Sequence, residues 1–277
     1  MSVLSIELFK IYRRKRSYIG FLAVLALVML VFLGFYYEGE EMFGFITKNL
    51  ENSFILQGNI LNGNLFAYLV LKSLWVHFPI LVALVTGDLI SGEAQSGTLR
   101  LILSRPVSRT QLITAKFFAA IIYVSSLVLF LALLSIILGY LFFGTGDLMI
   151  ILNEVNVFNA DDVPWRLVSA YLFGILSMST IAALSVFLSA VTGNSLAAIL
   201  GTIALVIVLT FVSLFNIPFL NLIKPFLFTS YTSSWQFFFE YGHQLTLILR
   251  DLGILVLHIV LFYAITLFYF RKKDIVT

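Results

Sequence analysis

Cysteine is absent from this 277-residue chain, and charge is scarce. Without cysteine there can be no disulfide and no thiolate metal site, and the redox compartment stays undecided. Charged residues make up 11% of the chain against 61% hydrophobic, whereas a soluble domain carries roughly a quarter charged residues. So few charges cannot cover the surface of a 31.2 kDa soluble globule. The same composition excludes a disordered or a fibrous chain. A polytopic membrane protein remains, provided the apolar residues fall in runs.

Motifs for chemistry are equally scarce. There is no His-Glu-x-x-His, no Gly-x-Ser-x-Gly and no pair of aspartates within an apolar run, which leaves little for an intramembrane enzyme. The three histidines, His77, His243 and His258, have no partner at helical spacing. His77 and His258 fall in apolar runs, where an ionisable group is a functional candidate by default. A neutral histidine bonded to a neighbouring helix is the simpler reading of both. The five methionines are scattered, so no copper-binding cluster forms and no metal site is expected. Gly92 and Gly97 have the spacing of a phosphate-binding loop, but Thr98 and Leu99 stand where Lys and Ser/Thr are needed. No cofactor is expected on this chain.

The apolar residues do fall in runs. Ser17 to Tyr37, Phe117 to Gly146 and Leu252 to Phe270 are uncharged, and Leu167 to Ile223 is uncharged for 57 residues. A bilayer core needs about 20 apolar residues as helix. These runs predict an all-α membrane protein with helices over 18–37, 66–87, 112–142, 165–191, 195–216 and 248–270. The span over 66–87 is interrupted only by Lys72. Thr192-Gly193-Asn194-Ser195 divides the long run. A β-barrel would need strands of about ten residues with alternating polarity, and the continuous apolar runs exclude it.

Charge gives orientation. The N-terminal segment, the loop between the second and third helices and the C-terminal segment hold 12 of the 17 Lys and Arg, a net charge of +8 against −5 on the other side. Excess Lys and Arg mark the cytoplasmic face, so both termini are expected inside. The basic residues are dispersed along this face, and no nucleic-acid partner is expected. The N-terminus mimics a signal peptide, but its apolar run is too long and no small-residue cleavage site follows, so a retained first helix is expected.

Within residues 1–17, Leu4, Leu8, Ile11 and Tyr12 repeat at helical spacing opposite Lys10, Arg13 and Arg14. This favours an amphipathic helix on the membrane surface over a frayed basic tail. Residues 88–111 form the cytoplasmic loop of greatest length. Ser108 and Gln111 have the spacing of a capping box that would start the third helix. Leu99, Leu101, Ile102 and Leu103 make this loop apolar enough to dock on the membrane or on another protein.

Glu93, then Gly97-Thr98-Leu99, then Ser104-Arg105-Pro106-Val107-Ser108-Arg109, then Lys116 resembles the signature of ABC-2 type permeases. More narrowly, the chain is similar to the small bacterial permeases that pair with a separate ATPase. Members serve nitrous-oxide-reductase maturation, gliding motility and antibiotic resistance. The resemblance extends to the N-terminal helix, the six spans, the aromatic outer segment and the terminal Phe270-Arg271-Lys272-Lys273-Asp274-Ile275. It implies a single membrane domain over 1–277 in a bacterial cytoplasmic membrane, with export as its activity. The implied partners are a second permease copy and two ATPase subunits, which would hold the ATP and Mg. The loop would be a coupling helix seated in the ATPase. Asp88, Gly92, Glu93, Gly97, Thr98, Arg100, Arg105 and Arg109 would be the coupling residues. Glu93 would be either an acidic contact or the loop's anchor. Composition alone leaves open whether the loop couples to a partner or whether its basic residues merely set topology.

Other positions stay open between a plain and a functional role. Lys72 either snorkels to the headgroups or contacts an anionic substrate. The segment 217–247 is crowded with aromatic residues, Trp235 and Phe238 among them, and is read as short helices re-entering the outer leaflet. It serves as an aromatic belt or as a gate. Lys72, His77, Trp235 and Phe238 are thus the candidates for a substrate path or gate. Asp161-Asp162 before Val163-Pro164-Trp165 predicts an acidic helix cap. Two further function classes stand beside export: a non-pumping subunit that transmits ATPase work to partners and, behind it, an intramembrane enzyme.

Overall fold

The computed structural model describes residues 2–51, 59–104, 106–151, 155–242 and 245–273. Arg105, Glu154, His243 and Asp274 lie outside them, as does the side chain of Arg100. Helix α1 (Val3–Arg13) is capped by Ser2, whose side chain accepts from the Ser5 amide at 3.2 Å. It ends where the Ser17 hydroxyl bonds the Ile11 carbonyl at 2.6 Å. Helix α2 (Lys15–Glu51) follows almost at once. Its apolar run ends near Tyr37, yet the helix continues through Glu38, Glu40 and Glu41, which are good helix formers.

The next two helices replace the uninterrupted span expected over 66–87. Helix α3 (Gly63–Leu74) and helix α4 (Phe78–Thr86) meet at a 56° bend. Pro79 has no amide to give the Trp75 carbonyl, so the helical ladder breaks there. Asn62 caps α3 by accepting from the amides of Asn64 and Leu65. After α4 the chain makes two short helices, α5 (Ser91–Gln95) and α6 (Thr98–Leu103), with Gly97 between them. Helix α7 (Arg109–Phe143) opens with the full capping box of Ser108 and Gln111.

A two-stranded antiparallel hairpin, β1 (Leu148–Ile151) and β2 (Val155–Phe158), then departs from the all-helical expectation. In β2 the side chains alternate between exposed and buried, the period of a strand with one covered face. Helix α8 (Val163–Thr192) starts without the expected acidic side-chain cap. The Asp162 carboxylate instead accepts from Trp165 Nε1 at 2.5 Å and Arg166 Nε at 2.7 Å. Gly193 ends α8 in the left-handed region, and Asn194 caps helix α9 (Ser195–Leu214). Helix α10 (Pro218–Ile223) and three 3₁₀ turns fill the aromatic segment before helix α11 (Leu245–Lys272).

Helix α8 is the axis of the bundle. It packs against α4, α7, α9 and α11, and Ser177, Thr180, Ser185 and Ser189 are fully buried on it. Small residues allow helices to approach closely where lipid provides no hydrophobic drive for their association. Among the described residues, five helices, α2, α7, α8, α9 and α11, are long and apolar enough to cross a bilayer, and the bent α3–α4 pair makes a sixth if counted as one broken span. The faces of α9 and α11 are largely unburied, with Leu200, Ile207, Phe211 and Leu257 exposed. An apolar face without cover inside the chain belongs in lipid or against another subunit. The chain is a multi-pass membrane protein.

Candidate functional site

The charged side chains concentrate at one end of the bundle, where α1, the α4–α7 connection and the end of α11 meet. There α1 lies on α7 with Glu7 and Ile11 buried. Glu7 sits within the apolar stripe of Leu4, Leu8 and Ile11, so its carboxylate enters the protein and must find a partner there.

It finds two. Glu7 Oε2 accepts from Lys116 Nζ at 2.8 Å, and Glu7 Oε1 accepts from Lys10 Nζ at 2.6 Å. The same two ammoniums meet Glu93: Lys10 at 3.0 Å from Oε1 and Lys116 at 2.6 Å from Oε2. The Lys116–Glu93 contact is a charge pair without hydrogen-bond alignment, and Lys116 donates to Glu7 and to the Leu89 carbonyl, 2.9 Å away. Two carboxylates and two ammoniums thus form a closed square joining α1, α5 and α7. Lys116, Glu7 and Glu93 are each nearly inaccessible. Burying such charges is tolerated only when each is paired.

Burial works against ionisation of Glu7, but Lys116 and Lys10 more than offset it and hold its pKa below the usual 4.5. Burial likewise opposes the Lys10 charge, and Glu7 and Glu93 reverse that and raise its pKa above 10.5. The ionic support for α1 is therefore complete above pH 4.5 and is lost as pH falls through the lowered Glu7 value. At the alkaline end it is complete below 10.5 and is lost as pH rises through the raised Lys10 value. Because the chain lacks cysteine, a single Ser5→Cys spin label on the exposed face of α1 reports docking cleanly. We expect it to be immobilised at neutral pH and mobile once the pH is well below 4.5. A label equally immobile at both would contradict the square as the clasp of α1.

A second ionic cluster lies beside the first. Asp88 receives Arg14 at 2.9 Å and Arg16 at 3.1 Å, and the Ser195 hydroxyl at the start of α9 donates to it. A Cβ at Gly92 would stand 2.5 Å from Asp88 Oδ1, so glycine makes room for this carboxylate. Ser189 of α8 accepts from the amides of Ile90 and Ser91 at 3.1 and 2.9 Å. Gln95 Oε1 accepts from the Ser195 amide at 3.1 Å. The α5 element is thus tied to α1, α7, α8 and α9 at once.

The expected coupling residues separate into two groups. Asp88, Gly92 and Glu93 point into the protein. Gly97 and Thr98 are exposed at the tip, together with Gln95, Ser96 and Leu101. Gly97 has φ +69°, a conformation costly for other residues, and this turns the chain sharply between α5 and α6. Arg109 does not face outward. Its guanidinium accompanies the end of α11, donating to the carbonyls of Arg271 at 3.0 Å and Lys273 at 2.8 Å. A cation there matches the negative end of the helix dipole. Arg100 is placed in α6 by its backbone alone, and Arg105 lies outside the described residues.

The four gate candidates are not one cluster. Lys72 and His77 are exposed on either side of the α3–α4 bend. The Lys72 ammonium lies 5.8 Å from the Tyr68 ring, and His77 Nδ1 lies 3.2 Å from the Ser73 carbonyl. Trp235 is fully buried, with its ring 5.6 Å from Trp75 at the bend and 6.0 Å from Tyr68. Phe238 is half-buried against Trp165 and Phe173, and its carbonyl accepts from Arg166 at 2.6 Å. The inner part of the aromatic segment is thus core packed on the broken helix. His258 faces carbonyls with both ring nitrogens, Ile254 at 2.8 Å and Phe226 at 3.1 Å. Among the described residues no group of three metal-binding side chains comes together.

Sequence reasoning missed Glu7, Lys10, Lys116, Ser189 and Ser195 as site residues. The readable signal was an acid inside the apolar stripe of α1 and a lysine two turns into α7. Two comparisons bear on what the arrangement is. A family model described as an ABC-2 family transporter protein matches residues 1–275. The chain is also similar to the uncharacterized protein YhcI of Bacillus subtilis (strain 168), 30% identical over 128 residues, 43% of this chain and 41% of that protein.

Proposed function

This chain belongs to the ABC-2 transporter family, and on that premise we propose that its α5–α6 tip is the element through which a separate ATPase drives export. The membrane permease subunit is the family's role, and ABC-2 permeases pair with an ABC ATPase. The reading adds an orientation, with the basic end and both termini cytoplasmic, in accord with the excess of Lys and Arg there. The bent α3–α4 pair then counts as one of six spans. Two copies of the chain would pair with two ATPase subunits, and the uncovered apolar face of α9 offers a surface for such pairing. The path between the copies would be lined by α3–α4 and α9. A hydrophobic or amphiphilic substrate fits the few charges within the spans.

The observation that carries this reading is the way the tip is held. Among the described side chains its outer surface is Gln95 to Thr98 and Leu101, which are uncharged and exposed. Its inner surface is bolted by the ionic square to α1 and α7 and by Ser189 and Ser195 to α8 and α9. A push on such a tip cannot be absorbed locally and passes to four helices. The test is Leu101→Glu, which puts a charge on the presented face and leaves the square untouched. A buried contact of this kind contributes on the order of 2 kcal/mol, so the ATPase subunit should bind roughly thirtyfold more weakly. Permease-dependent ATP hydrolysis in vesicles should fall with it. Unchanged hydrolysis and unchanged binding in both Leu101→Glu and Gly97→Trp would refute the assignment.

A further inference from the structure

The end of the bundle opposite the ionic square holds a cavity of about 410 Å³ between the last turns of α9 and the segment after α10. Its wall includes Thr210, Ser213, Leu214, Lys224, Ser230 and Ser233. Outside it the surface is strongly apolar, with Leu214, Leu222 and Phe226 exposed at 72, 73 and 77%. A mainly apolar recess that carries several hydroxyls and the Lys224 ammonium, rimmed by exposed apolar side chains, has the form of an amphiphile site.

The wall is built by internal bonds. Ser213 Oγ lies 2.9 Å from Thr229 Oγ1 and 3.0 Å from Ser230 Oγ, and Ser230 donates to the Lys224 carbonyl at 3.0 Å. Tyr231 closes one side by donating to the Pro225 carbonyl at 2.9 Å. These contacts fix the Lys224 backbone. Among the described residues, no carboxylate lies within ion-pair distance of the Lys224 ammonium, and the hydroxyls of Thr210 and Ser233 bond no other residue. Asp251 of α11 is already held by Ser234 at 2.6 Å and Arg250 at 2.8 Å. An ammonium with three donors and two uncommitted hydroxyls match a group rich in acceptors and negatively charged.

We propose that this cavity seats the phosphate head of an anionic amphiphile whose chain lies along Leu214, Leu222 and Phe226. The proposal rests on the chain's place in a membrane and not on its coupling to an ATPase, and its test uses no ATPase. The purified chain is placed in phosphatidylcholine nanodiscs doped with a photo-crosslinking phosphatidylglycerol, and labelling of residues 210–233 is measured. Lys224→Gln should lower that labelling about tenfold and Lys224→Arg should retain it, as expected for loss of a charge-assisted contact. The double variant Thr210→Val, Ser233→Ala, which leaves the lysine in place, should lower it about threefold. Equal labelling in the wild type, Lys224→Gln and the double variant would overturn the site. Displacement of the lipid by equimolar soluble glycerol phosphate would show that a free phosphate suffices and would overturn the amphiphile.

Discussion

Lys116→Met is expected to loosen α1 from the bundle and to destabilise the protein by about 3–5 kcal/mol, the cost of removing one partner from a buried ion pair. Methionine fills nearly the volume of the lysine stem, so little of the loss comes from packing. What remains is two buried carboxylates, Glu7 and Glu93, sharing the half-exposed Lys10. Like charges at one site force one of them to take a proton. That protonation caps the loss, so the deficit should be greatest at neutral and alkaline pH and should shrink in acid. The triple variant Glu7→Gln, Glu93→Gln, Lys116→Met replaces charges with neutral groups of similar shape, and it should regain most of the stability. Thermal unfolding in mild detergent across pH measures all three proteins. A Lys116→Met protein that melts with the wild type at neutral pH would show that the square does not hold α1. If the triple variant is stable yet fails to support ATPase-driven transport, the square's charge is needed for coupling beyond its structural part.

The spans were legible because the runs without charge are long and the bilayer demands them. The cap on α7 was legible because Ser108 and Gln111 carry it locally. The square was not, because its partners are 83 and 109 residues apart and no local pattern pairs Glu93 with Lys10 or Glu7 with Lys116. Glu7 still left a trace as an acid in an apolar stripe. The bend at Trp75–His77 had its cause in plain sight at Pro79, but mean hydropathy over 66–87 is indifferent to a missing amide. The hairpin after α7 is too short for its alternation to stand out within an acidic loop. Trp235 read as a belt or gate residue because composition cannot separate an aromatic ring at the lipid surface from one packed in the core. Here the α3–α4 bend opens the space that Trp235 fills beside Trp75. The tip residues divided for a related reason: Glu93 of α5 faces Lys10 of α1 and Lys116 of α7, while Asp88, just before α5, faces Arg14, Arg16 and Ser195, which only the fold of these elements together determines.

Gly139→Val should be about as damaging, by a different cause. Near the end of α7 opposite the square, α7 crosses the start of α3 with backbone touching backbone. A Cβ at Gly139 would stand 2.7 Å from the Gly63 carbonyl oxygen, and a Cβ at Gly63 would stand 2.6 Å from the Gly139 carbonyl group. Side chains can rotate away from an added methyl, but these atoms belong to two helix backbones and move only if the helices part. Parting them would stretch the Gly63 amide bond to the Gly144 carbonyl at 2.9 Å and the Tyr140 bond to Asn64 at 2.7 Å. It would also open the cluster of Phe66, Phe32, Phe35 and Phe143. Overpacking in a core costs about 1–3 kcal/mol, and a rigid backbone neighbour places this site at or above the top of that range. Gly34, whose Cβ would meet nothing within 4 Å, is the internal control, and Gly34→Ala should be neutral or slightly stabilising. Gly63→Ala alone should also be costly. Combined with Gly139→Val it should cost less than the sum, because helices already parted by the first side chain admit the second. Melting of the four variants in one detergent decides the matter. Strict additivity, or a Gly139→Val protein as stable as Gly34→Ala, would mean that the two helices do not depend on this contact.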